Sequence, residues 1–286
     1  MLGANVSATL LSRDPARFAG ELPRLAQRRE FDWLAGETDS FVYPTGRFDY
    51  LIHLATPSAA EVGAGGAVPA LSALQGTHRV LQFARQSGAK RLLLASSGAV
   101  YGRQPADLSH IAEDYEGAPD LRLPTSAYGE IKRMSELMCA LTPDVECVIA
   151  RGFAFVGPYL PLTDKFAIGS FIRDALAGGP IRIHGDGTPL RSYLYAADLA
   201  IWLLTLLVKG RPSEAYNVGS DDAISLAELA RTIAATAGTA VDIAQAATDD
   251  PAERYLPAIG KARGNLGLEV RVPLASALCR TMEWAR

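Results

Sequence analysis

Residues 92–102, LLLASSGAVYG, decide which fold the sequence predicts. A run of leucines that closes on two serines is typical of a buried strand whose end carries polar groups. The next helix-like pattern is SAYGEIKRMSE at residues 126–136, and the apolar run VECVIARG at residues 145–152 predicts another strand. Because two parallel neighbours need a long crossover between them, this order of elements favours a parallel sheet.

The same alternation extends in both directions from this segment. Upstream, strand patterns alternate with helix patterns: NVSATLL (5–11), DPARFAGELPRLAQR (14–28), FDWLAG (31–36), DYLIHLAT (49–56) and ALSALQGTHRVLQFARQSG (70–88). Downstream, the pattern loosens into helices at 166–179, 199–208 and 225–238 and strands at 180–185 and 214–220. We therefore predict an α/β fold with helices on both faces of a parallel sheet, and a smaller lobe packed against it.

The composition indicates a globular protein without a charged macromolecular partner. The chain of 286 residues is 49% hydrophobic and 21% charged, with a net charge of −3 and a pI near 5.9. Such a chain can bury a substantial core, and its charge gives no electrostatic reason to expect nucleic acid or an anionic membrane as a partner. The longest apolar run, LAIWLLTLLV, is about half as long as a membrane span, so we expect no membrane segment.

The cysteines and histidines show no metal-binding or redox spacing. The cysteines are odd in number and predict free thiols in a reducing cytoplasm: Cys139, Cys147 and Cys279. The four histidines are scattered, so we predict no metal site. The opening lacks a basic segment followed by an apolar core, and we therefore expect no signal peptide and a cytoplasmic location.

A tyrosine and a lysine lie four residues apart in the helix-like segment. Tyr128 and Lys132 therefore fall on one helix face, one turn apart. A lysine ammonium group at this distance can stabilise a tyrosinate and lower the phenol pKa from its usual value of about 10, which makes the tyrosine a usable general base. Together with a hydroxyl from Ser96 or Ser97 at the strand end, these residues are suited to hydroxyl–carbonyl redox chemistry. The alternative is a chance spacing in which Tyr128 only packs.

With these residues in place, the sequence resembles the extended short-chain dehydrogenase/reductase family, the NAD-dependent epimerases and dehydratases of nucleotide sugars. The resemblance runs nearly from end to end and rests on DYLIHLATPS (49–58), ALQGTHRVLQFARQSGAKRLLLASSGAVYG (73–102), YGEIK (128–132), RGFAFVGPYLP (151–161), GDGTPLRSYLYAADLA (185–200) and YNVGS (216–220). It implies a Rossmann-type doubly wound parallel sheet. The implied dinucleotide-binding domain is 1–151 with about 192–217, and the implied substrate-binding lobe is 152–191 with 218–286.

Carried over residue by residue, the family's active site falls on the same side chains. The resemblance implies that Tyr128 is the acid/base, that Lys132 is its partner and contacts the nicotinamide ribose, and that Ser97 polarises the substrate. It also implies that Arg191, in GTPLRSY, binds the nucleotide diphosphate through its guanidinium fork. Arg254, in ERYLP, is a second candidate for the same diphosphate. The alternative for Arg191 is an arginine in a surface salt bridge.

Four further positions are implied as contacts of the cofactor. Ala55 lies at the end of a predicted strand that lines the cofactor site in the family, and Glu37 corresponds to a position that flanks the adenine. NAD-preferring members carry an acidic residue at the end of the second strand, where this chain has Ser12 followed by Arg13. A hydroxyl and a guanidinium suit a 2′-phosphate better, so NADP is expected ahead of NAD. The alternative for Arg13 is a solvated turn residue.

The two positions after Ser97 depart from the dehydratase pattern. Dehydratases of the family carry an Asp-Glu pair there for proton transfer during water loss, whereas this chain has Gly98 and Ala99. Because neither residue can transfer a proton, 4,6-dehydration is disfavoured. Two asparagines of the family are replaced by Ala73 and Ala154, so the substrate geometry is expected to differ in detail.

The resemblance also places a strand, a GxxGxxG turn and a helix before NVSATLL. The printed chain starts in what corresponds to the last residues of that helix, so we expect a start codon assigned too far downstream or a truncated chain. Without the turn, cofactor affinity is expected to be poor. The Gly-rich segment EVGAGGAVPA (61–70) has the wrong spacing to replace it, and Pro69 predicts a mobile loop rather than a helix there.

The family implies an NAD(P)-dependent epimerase or reductase that acts on a nucleotide-activated sugar. Two alternatives stay open. A binding or sensor protein, or an inactive fragment of the family, fits the missing turn. A reductase of hydroxysteroids or flavonoids shares the fold, although Arg191 and the GDGT segment suit a diphosphate better. The family further implies a homodimer, joined by a bundle of the helices at residues 71–86 and 128–141.

Overall fold

Strands and crossover helices alternate along the chain, as the sequence pattern predicts. The computed structural model of the protein describes residues 6–247 and 251–286. The strands are β1 (Ala8–Ser12), β2 (Phe31–Ala35), β3 (Tyr50–His53), β4 (Arg91–Ser97), β5 (Glu146–Gly152), β6 (Phe155–Val156), β7 (Ile181–Ile183), β8 (Leu190–Arg191), β9 (Leu194–Tyr195), β10 (Ala215–Val218), β11 (Ile224–Ser225), β12 (Val241–Ile243) and β13 (Arg254–Tyr255). The helices are α1 (Pro15–Glu21), α2 (Pro23–Ala26), α3 (Ala59–Gly65), α4 (Ala67–Ser87), α5 (Ala127–Ala140), α6 (Ala167–Leu176), α7 (Ala196–Lys209), α8 (Leu226–Ala237), α9 (Gly260–Leu266) and α10 (Leu274–Ala285). The first predicted strand corresponds to β1, and its predicted first residue, Asn5, lies outside the described residues.

The segment of residues 92–102 begins inside the main sheet, as β4. The sheet has the order β10-β5-β4-β3, and every neighbouring pair is parallel. Leu93 is fully buried, because helices cover both faces of the strand. Ser97 is the last residue of β4 and pairs with Gly152, the last residue of β5, so the two strands end at the same edge of the sheet. The predicted parallel unit is confirmed.

Helices pack on both faces of this sheet. On one face, α4 contributes Val80 and Leu81 to an apolar cluster that includes Leu94. On the other face, α7 contributes Trp202 to a cluster that includes Leu93. Successive residues of β4 therefore point to opposite helix layers, which is the doubly wound arrangement that the sequence predicts. Within the described residues, α7 and the other helices are too short or too polar to cross a membrane.

Strands β1 and β2 form a separate parallel pair beside the main sheet. Within the described residues no backbone ladder joins β1 to β3, although Leu11 and Leu51 pack against the same apolar cluster. On the other face of β3, Ile52 lies opposite Leu93 in the ladder but is 41% exposed. The helix layer that covers Leu93 therefore stops short of β3.

A third apolar cluster forms the smaller lobe. Ile172 of α6, Leu229 and Ile233 of α8, and Leu278 of α10 are fully buried in it. The short strand pairs β7–β12 and β6–β9 are parallel and contribute to the same cluster. A smaller lobe is what the loosened pattern of the second half predicts, while its exact boundaries stay predictions.

The Gly-rich segment at residues 61–70 is helical, so the prediction of a mobile loop is wrong. The hydroxyl of Ser58 accepts a hydrogen bond from the Glu61 amide, and the Glu61 carboxylate accepts one from the Ser58 amide, which caps α3. Gly66, with φ of 64°, separates α3 from α4. Pro69 is the third residue of α4. A backbone N–H at this position has no partner inside the helix, so proline removes no helical hydrogen bond there.

Candidate active site

The predicted catalytic residues meet where β4 ends and α5 packs against it. Ser97 is buried at the end of β4, and its hydroxyl accepts a hydrogen bond from the Ala99 amide (3.2 Å), which begins a short 3-10 helix. Tyr128 and Lys132 lie one turn apart in α5. The Ser97 hydroxyl lies close enough to the phenol to lower the pKa of Tyr128 through a hydrogen-bonding effect. The structure therefore brings all three residues together.

Lys132 is a buried cation at this edge, with 3% of its surface exposed. Its ammonium group donates to Thr56 Oγ1 (3.0 Å) and to the carbonyl oxygen of Ala95 (2.6 Å). The Nζ atom lies 5.8 Å from the centre of the Tyr128 ring. Burial lowers the pKa of Lys132 to about 8, and the carboxylate of Glu136 opposes this effect. Near pH 7 the group is therefore protonated in the protein interior.

Tyr128 is half-buried, and this burial raises the pKa of its hydroxyl above the usual value of 10. The hydrogen-bonding effect of Ser97 is smaller and acts in the opposite direction. The expectation that Lys132 lowers the pKa of Tyr128 is therefore wrong for the chain alone. The physical reason is that the ammonium group bonds to Thr56 and Ala95 instead of the phenol oxygen.

An ion pair between Glu136 of α5 and Arg151 of β5 lies behind the site. Arg151 donates from Nη2 to Oε2 (2.7 Å) and from Nε to Oε1 (3.1 Å), and both side chains are largely buried. The hydroxyl of Ser96 donates to the same carboxylate, and Arg151 also donates to the hydroxyl of Tyr101 (2.9 Å). The pair therefore fixes α5 to the ends of β4 and β5. Glu136 is not among the predicted residues, although its spacing of four residues from Lys132 is a signal in the sequence.

Tyr255 of β13 approaches Ser97 and was also missed. Its hydroxyl oxygen lies 3.5 Å from Ser97 Oγ and 3.5 Å from the Gly152 carbonyl oxygen. Its ring packs on Phe153, with 4.7 Å between the ring centres. Burial raises the pKa of Tyr255 to about 12, so its hydroxyl stays protonated near neutral pH.

The space beside Gly98 is filled by two aromatic side chains. A Cβ atom at this position would lie 2.7 Å from the ring of Phe153 and 2.8 Å from the hydroxyl of Tyr255. Both distances are shorter than a Cβ tolerates, so a larger residue at position 98 would displace a ring. The glycine that stands where dehydratases carry an acidic residue is therefore the residue that the surrounding packing can accommodate.

The predicted diphosphate arginines lie on neighbouring strands but on different faces. Strand β8 pairs with β13, with Arg191 opposite Tyr255 and Leu190 opposite Arg254. Because successive strand residues point to opposite faces, Arg191 shares a face with Tyr255 and Arg254 does not. Arg191 forms an ion pair with Glu253 (2.7 Å), which the salt-bridge alternative anticipates. In the part of the chain that the structure describes, Nε of Arg254 is buried without a hydrogen-bond partner.

The predicted cofactor contacts lie at or just after the carboxyl ends of β1, β2 and β3: Ser12, Arg13, Glu37 and Ala55. The hydroxyl of Ser12 accepts a hydrogen bond from the Asp14 amide (3.2 Å), and the other three residues are exposed. Thr56, the residue after Ala55, is the acceptor for Lys132 and was missed. A polar residue directly after a strand end was the available signal.

Comparison of the sequence with known proteins shows which family the chain belongs to. A model of the NAD dependent epimerase/dehydratase family matches residues 1–219. The chain belongs to this family. It is 33% identical over 244 residues to UDP-glucuronic acid decarboxylase 1 of Xenopus tropicalis, an alignment that covers 83% of this chain and 57% of the relative. The chain thus spans little more than half the length of that relative.

Solved structures share the fold. UDP-glucuronic acid 4-epimerase from Bacillus cereus, determined as a mutant with NAD and UDP-4-deoxy-4-fluoro-glucuronic acid, has a TM-score of 0.82 at 20% identity and covers 96% of this chain and 90% of its own. RMD from Pseudomonas aeruginosa, complexed with NADPH, has a TM-score of 0.78 at 23% identity and covers 96% of this chain and 97% of its own. At these identities the likeness shows the fold, which is the predicted Rossmann-type α/β architecture.

Proposed function

We propose that the chain transfers a hydride and a proton at a hydroxyl-bearing carbon of a nucleotide-activated sugar, as an NAD(P)-dependent epimerase or reductase. The observation that carries this proposal is the meeting of Ser97, Tyr128 and Lys132 at the carboxyl edge of a parallel sheet. Arg191 is the candidate that binds the diphosphate. It lies on β8, which pairs with β13, and Tyr255 of β13 lies near Ser97. A guanidinium fork near a hydroxyl-redox group suits a sugar carried on a diphosphate.

Tyr128 is the group that exchanges a proton with the sugar. Its raised pKa keeps the phenol protonated in the chain alone, which suits donation to the carbonyl oxygen of a keto-sugar. In the oxidising direction only the tyrosinate form of the same oxygen accepts the hydroxyl proton, and the raised pKa of Tyr128 opposes this direction in the chain alone. Ser97 holds the substrate oxygen through its hydroxyl.

The residues at the sheet edge fit a nicotinamide dinucleotide, which supplies the hydride acceptor or donor when bound. Lys132 has three N–H donors. Within the described residues, Thr56 and Ala95 take two of them, which leaves the third for a ribose hydroxyl. Ser12 and Arg13, at the end of β1, offer a hydroxyl and an exposed guanidinium in place of a carboxylate. We therefore propose NADP ahead of NAD.

Dehydration is the less favoured reaction. Gly98 and Ala99 carry no group that transfers protons, and aromatic rings fill the space beside Gly98. Decarboxylation is a second candidate, because the curated relatives include a UDP-glucuronic acid decarboxylase. Oxidation of the hydroxyl on the carbon next to the one that bears the carboxyl group gives a β-keto acid, which loses carbon dioxide without a further acid or base from β4.

A non-catalytic member of the family is the alternative from another class, and one set of assays separates it from an enzyme. The purified chain is incubated with UDP-glucose, UDP-galactose, UDP-glucuronic acid or a UDP-4-keto-sugar, with each cofactor, and the products are followed by NMR. A 4-epimer, a reduced sugar or released carbon dioxide identifies the reaction. Tyr128→Phe is expected to lower kcat by at least about 100-fold while calorimetry shows retained sugar binding. Sugar binding without turnover in the natural chain would favour the non-catalytic alternative.

We also propose that a second copy of the chain binds through α5. Met134 and Leu137, with Leu141 directly after the helix, are exposed and apolar at spacings of three and four residues, the pattern of one helix face. Light scattering after size exclusion is expected to give a dimer, and the double variant Met134→Glu, Leu137→Glu is expected to give a monomer. A monomeric natural chain at micromolar concentration would contradict this proposal.

A further inference from the structure

We infer that Thr56 is a positioning residue of this site: its hydroxyl oxygen anchors the ammonium group of Lys132 and fixes the direction of the N–H that is left for a ligand. The inference rests on the proposed function, in which this N–H binds a ribose hydroxyl of the cofactor. Three observations carry it: the hydrogen bonds of Lys132, the charges around it, and the place of Thr56 between β3 and α3.

The first observation is that the hydrogen bonds of Lys132 have only one possible direction. An ammonium group only donates, and a carbonyl oxygen only accepts. Lys132 Nζ donates to the Ala95 carbonyl oxygen (2.6 Å) and to Thr56 Oγ1 (3.0 Å). With the Ala95 contact alone, the other two N–H groups would be free to rotate about it. The second contact removes this freedom, so Thr56 fixes where the third N–H points.

The second observation is that, within the described residues, no carboxylate forms an ion pair with Lys132. Glu136, one turn away, gives its carboxylate to Arg151 in a two-point pair (2.7 and 3.1 Å). Lys132 is 3% exposed, so water has little access to its charge. Thr56 and Ala95 therefore supply the oxygens that take the place of water around a buried cation. Loss of either oxygen favours the neutral form of the lysine.

The titratable groups around Lys132, among the described residues, are Tyr128 and Glu136 of α5 and His53 of β3. Burial, followed by the charge of Lys132, lowers the pKa of His53 to about 4, and burial raises the pKa of Tyr128. Burial lowers the pKa of Lys132 to about 8, and Glu136 stays paired with Arg151. Between pH 7 and 9, Lys132 is therefore the member of this set whose charge changes.

The third observation is that Thr56 has few contacts other than Lys132. It lies between the end of β3 and Ser58, which caps α3. Thr56 is half-buried and belongs to none of the apolar clusters of the described residues. Within the same part of the chain, its hydroxyl hydrogen has no acceptor. The hydroxyl therefore gives its oxygen to Lys132 and keeps its hydrogen available for a ligand oxygen.

The first test measures the titration of Lys132 by NMR in the chain without ligands. The chain has five lysines, so isotope labelling of lysine alone gives few signals, and Lys132→Met assigns one of them. We expect Thr56→Val to lower the titration midpoint of Lys132 by about one pH unit, because a buried ammonium group loses one of its two acceptors. Thr56→Ser keeps the hydroxyl and is expected to keep the midpoint of the natural chain. Thr205→Val is the matched control, since the Thr205 hydroxyl donates to the Ile201 carbonyl oxygen within α7 (2.8 Å).

The second test connects this titration to the reaction. Donation of the Tyr128 proton leaves a tyrosinate, which the nearby ammonium group of Lys132 stabilises. With the UDP-sugar that the natural chain turns over, the alkaline limb of the kcat profile is expected to move with the NMR midpoint. The move is about one pH unit downward in Thr56→Val and absent in Thr56→Ser. A structural role alone would instead lower kcat by the same factor at every pH.

The outcomes separate the inference from the proposed function. An unmoved NMR midpoint in Thr56→Val, or an unmoved limb of kcat, would overturn the inference while the proposed function stands. If the natural chain converts no UDP-sugar, the proposed function fails, and a lowered midpoint in Thr56→Val still supports the anchoring of Lys132 by Thr56. Thr56→Ala also removes the acceptor, and it repeats both measurements should the valine variant fail to fold.

Discussion

Replacement of Lys132 by methionine tests whether the carboxyl edge of the sheet holds a buried cation. Lys132 is 3% exposed, and burial lowers its pKa from the usual 10.5 to about 8. In the unfolded chain the lysine regains a pKa of about 10.4. A difference of this size corresponds to roughly 3 kcal/mol of unfolding free energy, at about 1.4 kcal/mol for each pKa unit.

The sign follows from where the proton is bound. Between pH 8 and 10.5 the unfolded chain keeps the lysine proton, while the folded chain has released it. The unfolding free energy of the natural chain therefore rises with pH across this window relative to the Lys132→Met variant, by roughly 3 kcal/mol in total. Below pH 8 both states hold the proton, so the difference between the two proteins is constant there.

Urea unfolding followed by circular dichroism, in half-unit steps from pH 7 to 10.5, measures this difference. Other groups titrate in the same range, but their contributions cancel between the two proteins. Lys209→Met, at the exposed end of α7, is the matched control for loss of a lysine. A difference that stays flat across the window, or that falls as the pH rises, would refute the assignment of Lys132 as a buried cation.

Three further predictions concern the groups around the site. Glu136→Gln is expected to lower the unfolding free energy in urea by about 3 kcal/mol, because it breaks a buried ion pair. It is also expected to move the alkaline limb of the kcat profile to lower pH, because Glu136 raises the pKa of Lys132; an unmoved limb would count against this. Gly98→Ala is expected to lower the free energy of unfolding by about 1–3 kcal/mol, because the added Cβ collides with two aromatic side chains. Calorimetric unfolding measures this loss, and an unchanged melting curve would show that the two side chains move aside without cost. Glu253→Gln is expected to tighten UDP binding in calorimetric titration by about two- to fivefold, because it frees Arg191 from its ion pair, and weaker binding would show that this arginine does not meet the diphosphate.

The main sheet could be predicted because its elements carry local signals. The apolar residues of β4 and β5 and the periodic pattern of α5 give the element types without reference to the rest of the chain. The segment at residues 61–70 was predicted wrongly because glycine and proline were read as breakers. Pro69 is in the first turn of α4, where proline is tolerated, and the cap of α3 starts upstream at Ser58. The capping signature of Ser58 and Glu61 begins just upstream of this segment.

The candidate site could be predicted only where its residues lie close together in the sequence. A spacing of four places Tyr128 and Lys132 on one helix face, but the direction of the ammonium group depends on Thr56 and Ala95, which other segments supply. For that reason the direction of the Tyr128 pKa could not be obtained from spacing. Tyr255 is 158 positions away from Ser97 in the chain, and its approach depends on strand pairing in the smaller lobe.

Helix α5 carries two ionised groups with opposite effects on stability, one turn apart. Burial of the Lys132 ammonium lowers stability near pH 7, and its bonds to Thr56 and Ala95 offset part of that cost. One turn later, the Glu136 carboxylate is neutralised by a two-point pair with Arg151, which holds the helix on the sheet. It follows that the fold depends more on position 136 than on position 132. Variants at 132 should therefore fold and fail in the reaction, whereas variants at 136 should fail first in stability.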